Sequence, residues 1–304
     1  AAVSGDTILI QPGTYKENLN LSGKNLVLGS LFLRTADTNH VNQTVIDGNK
    51  ISHVIFLGTQ ETVNCKIIGL TIQNSGSQTG QSNAGITMID ASATVANCKM
   101  INNSGDGILA RGASTSLIEG NLISGNGSSG VYFGYGATGT IRNNSIINNR
   151  DGISTYQASP PTIERNKVSF NQMRGVYITF SGGGKIHRNL ITNNGAGIYS
   201  SGSGDIEILN CTVVNNGGLG ILRENNSVMR LKNSIVWQNG EEIRDDRSTG
   251  GSLTVTYSDI KGGLAGTGNI NSDPLFIGGQ AGFALSAGSP CIDAADPSSP
   301  SDPD

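Results

Sequence analysis

A glycine followed by Ile or Val returns every 22 or 23 residues through the middle of this 304-residue chain, at Gly85, Gly107, Gly130, Gly152, Gly175, Gly197 and Gly220. A fixed period of this length means that each repeat is one small unit stacked on the next. Two further aliphatic columns keep the same period: Val95, Ile118, Ile141, Ile163, Ile186, Ile208, Leu231, and Met100, Ile123, Ile146, Val168, Ile191, Val213, Val236. Around each column apolar and polar residues alternate, which is the period of a strand and not of a helix. Three columns therefore predict three short strands per coil. With 43 glycines and 14% charged residues, the composition also disfavours a helical repeat, and the Leu pattern of a leucine-rich repeat is absent.

Two polar columns separate the strands. One runs Cys98, Asn121, Asn144, Asn166, Asn189, Cys211, Ser234, and the other Asn103, Asn126, Asn149, Asn171, Asn194, Asn216, Asn239. Asn stacked at a turn can hydrogen-bond up and down the coils and tolerates left-handed backbone angles. The expected fold is all-β: a single-stranded parallel β-helix with an Asn ladder at the tight turn, rising about 4.8 Å per coil. A net charge of −3 argues against nucleic acid as a partner. No apolar run approaches the roughly 18 residues of a membrane span, and the four cysteines lack the spacing of a zinc site.

Residues 62–239 resemble the right-handed parallel β-helix repeat of the pectate-lyase-like superfamily. DTILIQPGTYKENLNLSGKNLVLGS (6–30) resembles the opening coils of that superfamily, and TVIDG (44–48) fits the same opening. NSDPLF (271–276) and FALSAGSPCIDAADP (283–297) resemble the closing segment of large secreted bacterial β-helix proteins. The resemblance implies a secreted or cell-surface bacterial protein, a monomer forming part of a larger multidomain precursor. It divides the chain into N-terminal coils (1–61), regular repeats (62–239), C-terminal coils with the closing segment (240–292) and an acidic Pro/Ser-rich linker (293–304). Cys98 and Cys211 fall in one column five coils apart, about 24 Å, too far to bridge. They read as buried replacements for Asn, with Cys65 and Cys291 also reduced.

In such a fold the interior is core, so chemistry belongs to outward positions and loops. Two residues past each repeat glycine stand Thr87, Leu109, Tyr132, Ser154, Tyr177, Tyr199 and Leu222; four past stand Ile89, Arg111, Gly134, Tyr156, Thr179, Ser201 and Glu224. This face collects most of the tyrosines. An aromatic ring with polar neighbours suits a pyranose, which offers an apolar CH face and a polar edge; Tyr also simply suits an exposed strand. Asp106, Arg150, Asp151 and Arg174 line one edge. Tyr132, Tyr156, Tyr199 and Glu224 are the candidate substrate-binding residues.

The superfamily's polysaccharide-acting members carry their groove on this sheet, which makes Arg174, Asp151, Tyr177 and Arg111 the candidate catalytic set. Elimination at a uronate needs a cation on the carboxylate, a base at C5 and an acid for the leaving oxygen. Arg174 or Arg111 suits the first role and a Tyr either of the others; the competing reading is an ordinary surface ion pair. No active-site motif of alginate epimerases, polygalacturonases, pectinesterases or pectate lyases occurs, so the resemblance carries the fold and no activity. A second strip, Glu119, Arg142, Glu164, His187 and Lys232, with Arg165 and Arg188 beside it, reads as a structural charge ladder. No metal site is assigned. Asp293, Asp296, Asp302 and Asp304, with Asp245, Asp246 and Asp273, offer oxygens of the kind Ca²⁺ takes, yet nothing resembles an EF-hand loop. Two functions stand: a non-catalytic module that binds acidic polysaccharide or serves as a spacer, and a lyase or C5-epimerase on uronate glycans. Scattered Thr disfavour an ice-binding surface. The outward apolar residues Ile101, Ile147, Val214 and Trp237 call for cover by a terminal segment or a second molecule.

Overall fold

The computed structural model describes residues 2–77, 83–180, 182–246, 250–278 and 283–299. Among them every regular coil gives one strand to each of three parallel sheets, of 10, 11 and 11 strands. We call these the first, second and third sheets in the order a coil visits them, as in Asp151–Tyr156, Thr162–Glu164 and Lys167–Ser169. Neighbouring coils are in register: Ile153 lies opposite Val176, Ile163 opposite Ile186 and Val168 opposite Ile191. The three aliphatic columns point inward and are buried, forming one continuous narrow core. The repeat glycine is demanded by space. A Cβ on Gly152 would stand 2.4 Å from the carbonyl oxygen of Gly175 and 2.5 Å from Val168 Cγ1.

Both polar columns are hydrogen-bonded ladders. Asn126 Oδ1 accepts from Asn103 N and Nδ2 at 3.1 and 3.0 Å, and Asn126 Nδ2 donates to Met100 O and Asn149 Oδ1 at 3.2 and 2.8 Å. All four bonds of a buried amide are thereby made, which removes the cost of burying it. The pattern runs through Asn149, Asn171, Asn194 and Asn216 to Asn239, where Glu242 accepts from Nδ2 at 2.7 Å and ends the stack. In the other ladder Cys98 N donates to Asn121 Oδ1 at 2.9 Å, and Cys211 N to Ser234 Oγ at 3.1 Å. All four cysteines are free thiols. Burial pushes the Cys98 thiol up to about 12 and Cys211 up to about 11, so neither offers thiolate chemistry.

The left-handed backbone does not fall on the ladder Asn but on the residue before it: Asn97, Asn143, Arg165, Arg188, Asn210 and Asn233 at one corner, Asn102, Asn148, Phe170, Asn193, Asn215 and Gln238 at the other, all with φ between 52° and 57°. Turning and laddering are divided between adjacent residues, which explains why so varied a set can precede so uniform a one.

Two short helices, Phe32–Thr35 and Asn39–Gln43, which the sequence reading lacked, interrupt the N-terminal coils. They take up the long corner between the strands Val27–Ser30 and Thr44–Asp47, and Thr71 Oγ1 donates to Val41 O at 2.7 Å to hold them. At the other end the strands Phe276–Ile277 and Ala284–Leu285 form an antiparallel hairpin. Phe276, Phe283 and Leu275 share a cleft with Trp237, so this segment supplies cover for the Trp237 end of the apolar column; Trp237 and Val214 are both buried. The solvated linker expected from residue 293 is tied down as far as Ser299. Lys232 pairs with Asp296, Asp296 N donates to Asn233 Oδ1 at 2.9 Å, and Asn233 Nδ2 donates to Ser299 Oγ at 3.1 Å. Asp302 and Asp304 lie outside the described residues.

Candidate functional site

The first sheet brings the candidate residues into two clusters. In one, Tyr177 and Tyr199 are opposite neighbours whose rings meet edge to face at 5.3 Å and 82°. Arg174, where its strand begins, lays its guanidinium 3.8 Å from the Tyr177 ring centroid and 5.5 Å from that of Tyr199. Its Nε pairs with Asp151 Oδ1 at 3.2 Å, and the same oxygen accepts the Arg174 N–H at 3.2 Å. Asp106 does the same one coil earlier than Ser129, accepting the Ser129 N–H at 2.8 Å. The Asp column thus has a structural task, supplying an acceptor to the next coil. Burial pushes both carboxyls upward; for Asp151 it outweighs the opposing pull of Arg174.

Glu224 completes this cluster by accepting from the Tyr199 hydroxyl at 2.6 Å. Burial first, and then the carboxylate beside it, push the Tyr199 phenol up to about 12. In the second cluster Arg111 stands 5.5 Å from the Tyr132 ring centroid and 5.4 Å from that of Tyr135. Among the described residues its Nε has no hydrogen-bond acceptor. Tyr156 meets Tyr135 at 5.4 Å and Phe180 at 5.6 Å, both edge to face. Burial raises the Tyr132 phenol as well. The strand of Arg111 and that of Arg174 are three coils apart in the sheet, about 14 Å.

The eight candidates therefore divide into Asp151, Arg174, Tyr177, Tyr199 and Glu224, and Arg111, Tyr132 and Tyr156. The open face is narrower than the outward count suggested, because Thr87, Leu109, Ser154 and Leu222 are buried. Thr87 lies under His53, with its Oγ1 2.7 Å from Nδ1, and Ser154 Oγ accepts from Ser129 Oγ at 2.9 Å. His53, Tyr135 and Phe180 were missed. His53 precedes the regular repeat, takes the Ala84 N–H on Nδ1 at 3.3 Å and is held below its ordinary pKa by burial. Tyr135 and Phe180 sit one residue beyond their strands, where counting along a strand face stops; their 22- and 23-residue spacing from Gln157 was the available signal.

Elsewhere the charge strip pairs across coils at Arg142 and Glu119, 2.7 Å apart, whereas His187 Nε2 lies 2.6 Å from Glu207 and Lys232 pairs with Asp296 of the C-terminal segment, both outside the strip. Among the described residues no three His, Cys, Asp or Glu side chains gather as a metal site requires, so the acidic residues weighed for Ca²⁺ do not converge there. A cavity of about 540 Å³ between the C-terminal segment and the corner at Asn210 and Asn233 lies away from the tyrosine face; at its wall Cys291 Sγ donates to Asp259 Oδ2 at 3.0 Å.

A family model described as the right-handed beta helix region matches residues 52–208 and 174–261, and the chain belongs to that family. No curated protein matches the sequence significantly. Among solved structures, a periplasmic alginate epimerase double mutant is similar at 14% identity, over 82% of this chain and 76% of that one, with a TM-score of 0.46. The A-module of a mannuronan C-5 epimerase from Azotobacter vinelandii is similar at 13% identity, over 89% and 92%, with a TM-score of 0.42. The catalytic domain of an α-1,3-glucanase in complex with tetrasaccharides is similar at 11% identity, over 81% and 64%, with a TM-score of 0.26. None of these similarities carries a residue's role to this chain. Among the described residues no helix is long and apolar enough to cross a membrane.

Proposed function

We propose that this chain is an exported, monomeric β-helix module of a larger protein that binds an acidic polysaccharide along its first sheet, without turning it over. The observation that carries the reading is the Arg174 cluster. A guanidinium held by Asp151 and stacked on Tyr177 is oriented before any ligand arrives, so its remaining N–H groups meet a carboxylate at little further entropic cost. Tyr177 and Tyr199 beside it offer ring faces to the CH side of a pyranose. Arg111, about three coils away, provides a second cation for a carboxylate further along the same glycan. Tyr199 and Tyr132 are poorly suited to act as bases. The Tyr199 phenol is raised to about 12 and Tyr132 also upward, so both stay protonated at neutral pH.

A second reading, a lyase or C5-epimerase on uronate glycans, is favoured by one observation. Asp106 and Asp151 are buried carboxyls pushed upward, toward the range in which a group exchanges protons with a substrate. One experiment separates the two. The purified chain is run in native gels containing pectate, alginate or a neutral glucan, and incubated with each uronate while ultraviolet absorbance follows the unsaturated product of elimination. Binding without turnover predicts retardation by an acidic glycan, weakened about tenfold or more in Arg174→Ala, with flat absorbance. A rise in absorbance that Arg174→Ala or Tyr177→Phe abolishes would establish the lyase instead. Neither retardation nor absorbance with any glycan would leave a spacer.

A further inference from the structure

Two of the most exposed large side chains lie together at the corner where the first sheet ends: Tyr135 at 53% and Phe180 at 62% exposure. Both hold left-handed backbone, with φ of 54° and 48°. That conformation is strained for a bulky residue. At the same corner of other coils it is taken by Asp90, Gly112 and Asn225, which adopt it more readily, and on the coil between the two by Gln157, whose side chain is polar. Neither burial nor backbone preference accounts for an aromatic ring at either position. Phe170, also exposed and left-handed, stands at a different corner with no ring contact among those found in the described residues.

The two rings are joined into a strip by Tyr156, which meets Tyr135 at 5.4 Å and Phe180 at 5.6 Å. They belong to three successive coils, since Gly134, Tyr156 and Thr179 are register partners. The rings therefore repeat at about 4.8 Å along the stack, close to the span of one pyranose residue. Gly134 makes room for the Tyr132 ring, since a Cβ there would stand 2.6 Å from Tyr132 Cε1. At one end the Arg111 guanidinium lies 5.4 Å from the Tyr135 ring centroid and gives the strip a positive terminus.

We propose that Tyr135, Tyr156 and Phe180 form a second sugar platform, which takes the CH faces of successive pyranose residues of the glycan whose carboxylates meet Arg174 and Arg111. The inference rests on the polysaccharide reading above and adds a lane that is not ionic. An exposed ionic contact weakens as salt rises, whereas stacking on a ring does not. The strained corner is kept because only an aromatic there reaches the sugar, a cost in stability retained for binding.

The test measures calorimetric affinity for pectate and alginate oligosaccharides at low and high salt, with thermal melting and sedimentation, for the wild type, Tyr135→Gly, Phe180→Gly and Arg174→Ala. Each Gly variant is expected to bind about tenfold more weakly, with the salt dependence of the wild type and a melting temperature equal or higher. Arg174→Ala is expected to bind more weakly and with a reduced salt dependence, the Arg111 contact remaining. Wild-type affinity in both Gly variants overturns the platform while leaving the polysaccharide reading in place. A wild-type dimer that Phe180→Gly dissolves with glycan affinity intact overturns it too, assigning the rings to self-association. Failure of the wild type to bind any uronate overturns the underlying reading, and the platform with it.

Discussion

Asn149→Ala removes one amide from the middle of the longer ladder, and the structure sets the size of the loss. Asn149 Oδ1 accepts from Asn126 N at 3.0 Å and from Asn126 Nδ2 at 2.8 Å, while its Nδ2 donates to Ile123 O and Asn171 Oδ1, both at 3.1 Å. The side chain is 2% exposed, as are those of Asn126 and Asn171 within a point, so water does not replace the lost bonds. Four bonds at about 1 kcal/mol each give about 4 kcal/mol, and the Asn126 N–H, left with no acceptor, adds to it. Domain stabilities run to about 5–15 kcal/mol. The variant is therefore expected to unfold at much lower urea concentration, followed by circular dichroism, with Cys98→Ala as the reference. At Cys98 only the weak thiol contacts to Ala96 O and Ile67 O are lost, at 3.3 and 3.5 Å. A loss in Asn149→Ala no larger than that of Cys98→Ala would refute the claim that satisfied ladder amides hold the coils together.

Three further outcomes are expected. Asp106 has a folded pKa above its ordinary 3.8 because of burial, so the folded state binds the extra proton. Its contribution favours folding at pH below 3.8 and is lost as pH rises through the folded value; Asp106→Asn should flatten that part of the stability profile and be neutral or stabilising at pH 7, as read by melting across pH. Arg223 is fully buried, pairs with Asp245 and donates to Asn225 O, Gly250 O and Asp246 O at 2.8, 2.8 and 2.6 Å. Arg223→Ala should cost about 3–5 kcal/mol and speed hydrogen exchange in Glu241–Asp245, the last strand of the first sheet. Asp296, paired with Lys232, is held down at about 2. Its hold on the C-terminal segment is present above 3.8 and lost as pH falls through 2, so limited acid proteolysis should release that segment before the coils are cut.

Where one physical rule governs every coil, the sequence is easy to read. Ile153, Ile163 and Val168 each repeat because each is packed between aliphatic residues of the coils above and below it, and Gly152 repeats because the next coil's carbonyl approaches too closely for a side chain. Residues 31–43 broke the period without any apolar spacing long enough to announce two one-turn helices. Arg223 continues the inward column of Met88, Ala110, Phe133, Thr155, Ile178 and Ser200, but its acceptors come from residues 225–250, which no counting rule places around it. The site was half legible for a related reason. Columns give which residues share a face, so Arg174, Asp151 and Tyr177 could be grouped. The diagonal bond from Tyr199 to Glu224 and the corner rings of Tyr135 and Phe180 depend on rotamers and on the left-handed residue past each strand.

The most direct test of the account is hydrogen exchange of the full chain with and without a uronate oligosaccharide that retards it. Binding along the first sheet predicts slowed exchange in Ser129–Gly134, Asp151–Tyr156, Arg174–Thr179 and Ala196–Ser201, with the second-sheet strands Thr162–Glu164 and Gly183–His187 unchanged. Protection confined to the second sheet, or to the cavity beside Asp259 and Cys291, would contradict it.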